Sequence, residues 1–207
     1  MQVTKLDFTA EELSVLNNSH FFTVKLSATK KIMTIFGQLE ADLKAEMEIT
    51  DFDRDEGLNI SSGKIFRGEN YHNLPYVMLD FPRLFNTKSV FAFRNMFWWA
   101  NGFSFTLHLQ GEAWKKRKKK IQKNLYKLQG QDFFICVNDT PWQYHFEPTN
   151  YVELDNFLNM NRGESLSTKS FIKLCTRLDI SRYSEAIATS RSTFKSLMNL
   201  IEDQDPM

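Results

Sequence analysis

Hydrophobic positions along this chain fall first at helical spacing, then alternate, then return to helical spacing. Over residues 27–48, Ile32, Ile35, Phe36, Leu39, Leu43 and Met47 recur at steps of three and four, which predicts a long helix with one buried stripe, started by Ser27. A shorter helix is expected before it over residues 10–17, because Thr9 is followed three residues later by Glu12, the pattern of a capping box. Residues 51–62 read as loop.

From Lys64 the period is two. Residues 65–71 and 76–81 predict a hairpin around a loop over residues 72–75, with Phe66, Val77, Leu79 and Phe81 on one face. Arg67, Glu69, Tyr71, Tyr76, Met78 and Asp80 then share the other face, with Arg67 opposite Asp80. Residues 103–110 alternate strictly and form the clearest strand, with His108 on its polar side. Residues 133–137 and 142–146 predict two more strands across the turn-rich Asn138-Asp139-Thr140-Pro141, with Gln143 and His145 opposing Trp142, Tyr144 and Phe146. The stretch over residues 89–100 supports two readings. Asn101-Gly102 is a hairpin signal, but the unbroken Met96-Phe97-Trp98-Trp99 spoils alternation, so a helix capped by Thr87 or Ser89 and ended by Gly102 is placed ahead.

Residues 112–128 predict an amphipathic helix with Trp114, Ile121, Leu125 and Leu128 in one stripe and most lysines turned outward. Two closing helices are expected, over residues 169–178 and, capped by Ser181, over residues 182–202. Helices, then a meander, then helices is an α+β order. The expected fold is one domain over residues 1–207: an antiparallel sheet of about five strands, with helices from both chain ends and the basic helix packed on its Phe-rich face.

Composition agrees with a folded chain: 207 residues are 42% apolar and include 19 Phe and 4 Trp. The longest nearly apolar run, residues 90–100, is broken by Arg94 and Asn95 and is shorter than the roughly 18 residues a membrane span needs. With no apolar signal core near the start, and with Cys136 and Cys175 far apart among apolar neighbours, a cytoplasmic protein without a structural disulfide is expected. Net charge is +1 but unevenly spread. Residues 115–127 hold eight of the 26 basic residues and no acid, leaving 18 bases against 25 acids elsewhere; residues 40–56 hold eight acids beside Lys44 and Arg54.

The candidate chemistry follows from these placements. Ser192-Thr193-Phe194-Lys195 matches an S-x-x-K element, but Ser170-Phe171-Ile172-Lys173 matches it too and its companion elements are absent. Asp51, Asp53 and Asp55 have the opening spacing of a calcium loop, which fails at Glu56 and Ser62. No metal-ligand spacing exists, and His108 with His145 is the nearest pair; no cofactor fingerprint is present. Residues 171–194 carry a faint helix-turn-helix cadence, in which Asp179 occupies the position that favours Gly. The expected site is the polar sheet face, where Arg67, Glu69, Tyr71, Asp80, His108 and His145 offer acids, bases and donors, and Trp98 supplies an apolar wall. The leading function is non-enzymatic binding of a small polar ligand or a protein partner. An enzyme using Arg67, Glu69, Asp80 and His108 for acid-base chemistry is the alternative. The third reading is nucleic-acid binding through Lys116, Lys119, Lys120 and Lys123.

Overall fold

A computed structural model of the chain describes residues 6–50, 53–160 and 166–201. The capping box forms as expected: Thr9 Oγ1 accepts from Glu12 N at 3.2 Å, Glu12 accepts from Thr9 N at 2.7 Å, and α1 (Ala10–Leu16) follows. The long helix α2 (Ser19–Ile49) starts earlier than Ser27, because Asn18 caps it by accepting from Phe21 N at 2.9 Å. Its predicted stripe is buried at Ile32, Phe36, Leu39, Leu43 and Met47.

Four strands form a meander: β1 (Lys64–Tyr71), β2 (Leu74–Phe85), β3 (Ser89–Trp98) and β4 (Gly102–Gly111). The chain leaves it at Gly111, where φ is 63° and a Cβ would lie 2.1 Å from the Lys88 carbonyl oxygen. It continues through α3 (Glu112–Asn124), a 3₁₀ turn, β5 (Phe134–Cys136), β6 (Tyr151–Glu153), α4 (Leu154–Asn159) and β7 (Phe171–Leu178). A second 3₁₀ turn over Ile180–Glu185 leads into α5 (Ala186–Met198). The sheet therefore has seven strands, in the order β1-β2-β3-β4-β7-β5-β6, where about five were expected. Every pairing between these strands is antiparallel.

Four segments depart from expectation. Residues 89–100 are mainly strand: Phe91, Phe93 and Phe97 face the helices, while Val90, Ala92, Arg94 and Met96 face the other way. Of residues 169–178, expected as a helix, Phe171–Leu178 form a strand, since Ile172, Leu174 and Leu178 alternate with Phe171, Lys173 and Cys175. In both, a sheet buried on two faces accepts nearly continuous apolar sequence, which resembles a buried helix. Residues 142–146 are not a strand; they lie within a strap, residues 137–150, laid across the sheet. Side chains satisfy the strap's backbone in place of a ladder: Lys173 Nζ donates to Gln143 O at 2.5 Å, Asn150 Nδ2 to His145 O at 2.6 Å, and Tyr144 N to Tyr71 Oη at 2.7 Å. The final expected helix is split by the 3₁₀ turn, where Asp179 accepts from Ser181 N, and its expected end at Glu202 lies outside the described residues.

One face of the sheet carries α2, α3 and α5 over a core that includes Phe81, Phe91, Phe93, Phe103, Phe105 and Phe194. Trp114, Ile121 and Leu125 are buried as the stripe of α3 required. Arg117, within the basic run, is buried with them and reaches Asp55 at 2.7 Å and the Phe91 ring at 5.0 Å. Among the described residues no helix is long and apolar enough to cross a membrane.

Candidate functional site

The opposite sheet face gathers charge. Two local features decide which side chains reach it. The β1–β2 turn has two residues, His72 and Asn73, both at positive φ, rather than the expected four, and a register shift follows between Gly68 and Tyr71. Asp80 consequently faces Lys64, and Arg67 faces Val77 on the side of the helices; the expected Arg67–Asp80 pair does not form. Glu69 bonds Lys25 of α2 at 2.7 Å. Neither Arg67 nor Glu69 joins the polar cluster.

The second feature is a bulge in β2. Asp80 pairs with Arg94 and Arg83 with Ala92, so Phe81 and Pro82 together stand opposite Phe93 alone. The extra residue returns Arg83 to the face of Asp80, where simple alternation would have sent it to the core. Lys64, Asp80, Arg83 and Arg94, with Phe66, Phe85 and Trp142, line one open pocket of about 310 Å³.

Arg94 anchors the pocket floor. Its Nε and Nη2 each donate to an Asp80 carboxylate oxygen at 2.7 Å, and its Nη1 donates to the Tyr144 hydroxyl. Burial opposes the Arg94 charge, yet the Asp80 hydrogen bonds and charge raise its pKa above the ordinary guanidinium value. Asp80 thereby neutralises Arg94, and Lys64 and Arg83 leave the pocket with a net positive charge. Arg83 Nε is buried without a hydrogen-bond partner.

Behind the pocket, the strap closes over a second layer. Lys173 is 1% exposed, with its ammonium 4.6 Å from the Tyr144 ring centre and 5.0 Å from that of Tyr151. Burial pushes its pKa down to about 8, partly opposed by the nearby Cys136 and Cys175 thiols. His108 lies edge-to-face with Trp142 at 5.4 Å, and its Nε2 is buried without a partner. Burial, together with the charges of Lys173 and Arg94, pushes the His108 pKa down to about 3, so the ring is neutral near pH 7. Burial pushes the Cys175 thiol up to about 12 and raises Cys136, Tyr144 and Tyr151 as well. The layer thus holds protonated thiols and phenols, a neutral imidazole and an enclosed amine.

The other expected residues sit at the turn end of the sheet. Tyr71 hydroxyl donates to Gln143 Oε1 at 3.1 Å, and Trp98 Nε1 donates to Tyr71 O at 3.2 Å. His145 packs against His72 at 5.3 Å, away from the Trp142 and Phe171 rings that flank His108. Among the described residues no group of three His, Cys, Asp or Glu side chains is placed to hold a metal ion. Of the calcium-loop acids, Asp53 and Asp55 are engaged by Lys116 and Arg117 at 2.7 Å each, and Asp51 lies outside the described residues. The acidic and basic blocks of the chain therefore meet. Lys119 and Lys123 remain exposed, Lys120 is partly buried, Lys115 pairs with Glu112, and Lys118 donates to Ser167 O.

Arg94, Lys173, Arg83, Lys64 and Tyr144 were absent from the expected site. Arg94 and Lys173 fell in stretches assigned to helices, although alternation of Phe91, Phe93 and Phe97, and of Ile172, Leu174 and Leu178, was there to be read. No local signal announces the bulge that turns Arg83.

No family model matches this chain, and neither a curated protein nor a solved structure matches it.

Proposed function

We propose that the protein binds a small anionic ligand, such as a carboxylate or phosphate compound, in the pocket floored by Arg94 and edged by Lys64 and Arg83. The observation that carries this reading is the charge of that pocket: three cationic side chains meet one carboxylate, and a buried Arg83 Nε–H lacks an acceptor. Phe66, Phe85 and Trp142 supply apolar walls around the polar floor. Binding rather than catalysis is proposed at this pocket, because in the layer behind it burial holds His108 down to about 3 and Cys175 up to about 12 and encloses the amine of Lys173, so none of these three offers an open proton donor or acceptor. We place this activity in the cytoplasm, a setting that suits the two free, buried cysteines.

Nucleic-acid binding through α3 finds less support, because Lys116 is engaged by Asp53 and Arg117 is buried. The test is isothermal titration and thermal shift with inorganic phosphate, sulfate and small dicarboxylates. Kosmotropic anions also stabilise proteins without a site, so the comparison with variants decides. Lys64→Ala and Arg83→Gln are each expected to weaken anion binding about ten-fold, the loss of one charge-assisted hydrogen bond. Unchanged affinity in both variants would refute this site.

A further inference from the structure

Away from the pocket, the N-terminal arm is built but buries nothing. Residues 6–24 are exposed throughout, with only Lys25 partly covered, before α2 meets the sheet. The arm is nevertheless well formed. α1 has both halves of a capping box, with apolar residues at Phe8 before the cap and at Leu13, and Asn18 caps α2. The first ten residues of α2 extend about 15 Å.

The exposed side chains of the arm are large and apolar. Leu6, Phe8, Leu16, Phe21, Val24 and Leu26 are among nine such residues between positions 6 and 26, exposed from 44% to 89%. At about 200 Å² for a large side chain they expose on the order of 900 Å² per chain, spread around the arm, with Phe21 and Val24 on the side of α2 that runs on to Ala28. The surface also continues into the body of the protein. Phe21, Val24 and Ala28 follow one another at helical steps, and Ala28, Ile32 and Ile35 line a groove of about 500 Å³ with Phe97, Trp99 and Tyr183.

Charge identifies what covers this surface. Residues 6–18 carry Asp7, Glu11 and Glu12 and no Lys or Arg, whereas residues 19–31 carry no acid and hold Lys30 and Lys31, together with Lys25, which pairs with Glu69 of the same chain. A surface acidic at one end and basic at the other complements itself when a second copy is turned by a two-fold rotation. The whole chain, at +1, offers little net repulsion to such a contact. One side of the arm together with the groove beside it supplies the apolar centre of a contact, and the charged residues of the arm its rim, within the roughly 800 Å² that each partner of a stable complex contributes.

We propose that the arm over residues 6–28 and the groove beside it form a two-fold interface with a second copy of this chain, with the acidic end of each arm against the basic end of the other. Light scattering and sedimentation equilibrium of the full chain are expected to show a dimer at about 10 μM. Phe21→Asp is expected to raise the dissociation constant about a hundred-fold, since two rings leave the interface, while circular dichroism and the thermal midpoint of the monomer stay as in the parent. Glu11→Lys spares the capping box; it should weaken the dimer, and adding Lys30→Glu and Lys31→Glu should restore it. A parent that remains monomeric at about 100 μM, including one that instead binds lipid vesicles through the arm, would overturn the proposal. So would a dimer indifferent to both Phe21→Asp and the charge reversals.

Discussion

The two faces of the sheet use the same strands to opposite ends. Toward the helices, β3 presents Phe91, Phe93 and Phe97, and β4 presents Phe103, Phe105, Leu107 and Leu109, all nearly inaccessible. Toward the strap, the alternate residues of those strands include Arg94, Thr106 and His108, and β2 and β7 add Asp80 and Lys173. Both faces bury most of their side chains, but only the first does so chiefly through apolar burial. On the second, each buried charge has to recover its lost hydration from a partner, and Lys173 does so from a carbonyl and two aromatic rings, with no carboxylate among these contacts. Packing explains most of the helix face, whose few buried polar groups include Arg117 on Asp55 and Asn95 against Ser190. It leaves the strap face with cations, an unpaired imidazole nitrogen and an open pocket, which is why binding is proposed there.

The largest effect is expected at Asp80. Asp80→Ala strands the Arg94 charge in a buried site and is expected to destabilise the protein by about 3–5 kcal/mol in urea unfolding. The double replacement Asp80→Leu with Arg94→Met should recover most of that loss, because the stranded charge is what costs stability. Failure of the second change to recover stability would mean that the pair itself, and not the uncompensated charge, holds the face together.

A smaller effect comes from pH. The folded-state pKa of His108, about 3, lies below its ordinary value of 6.5, so the unfolded chain binds a proton that the folded chain refuses. The stabilising contribution of the neutral ring is full above about pH 6.5 and is lost as pH falls toward 3, at up to about 1.4 kcal/mol per pH unit. His108→Gln should flatten the stability profile between about pH 6 and pH 4 relative to the parent. An unchanged profile would assign the acid sensitivity to other groups.

The smallest effect is expected at Arg67 and Glu69, exposed residues on the helix side of the first hairpin. Arg67→Ala and Glu69→Gln should each alter stability by no more than about 0.5 kcal/mol and leave anion affinity at the parent value. Calorimetric titration of these variants beside Lys64→Ala separates the two faces: loss of binding in the former pair would move the ligand to the wrong side of the sheet.

Much of the fold was legible because its signals are local. The stripe from Ile32 to Met47 required a helix packed on one side, Thr9 and Glu12 required a cap, and residues 103–110 required a strand with His108 opposite the core. The α+β class and the outward lysines of α3 follow from the same periodicities. The polar sheet face was legible only in part: Tyr71, Asp80 and His108 were read onto it and lie on it, whereas Arg67 and Glu69 do not, and Arg94 and Lys173 lay in stretches read as helices.

Periodicity along the chain determined which residues had to be buried, since a side chain's apolar character is carried by the residue itself and its spacing by the local backbone. Partnership was decided only by the tertiary structure. The two-residue turn at His72 and Asn73 and the register shift between Gly68 and Tyr71 together set which residue meets Asp80, one extra residue in β2 turns Arg83 into the pocket, and β7 returns from far along the chain to bring Lys173 beneath the strap. A one-residue change of register exchanges the two faces of a strand, and the contacts that fix register here join residues remote in sequence. The helix face tolerates that uncertainty because either reading of an apolar stretch buries it; the strap face does not, because a charge must find its own partner.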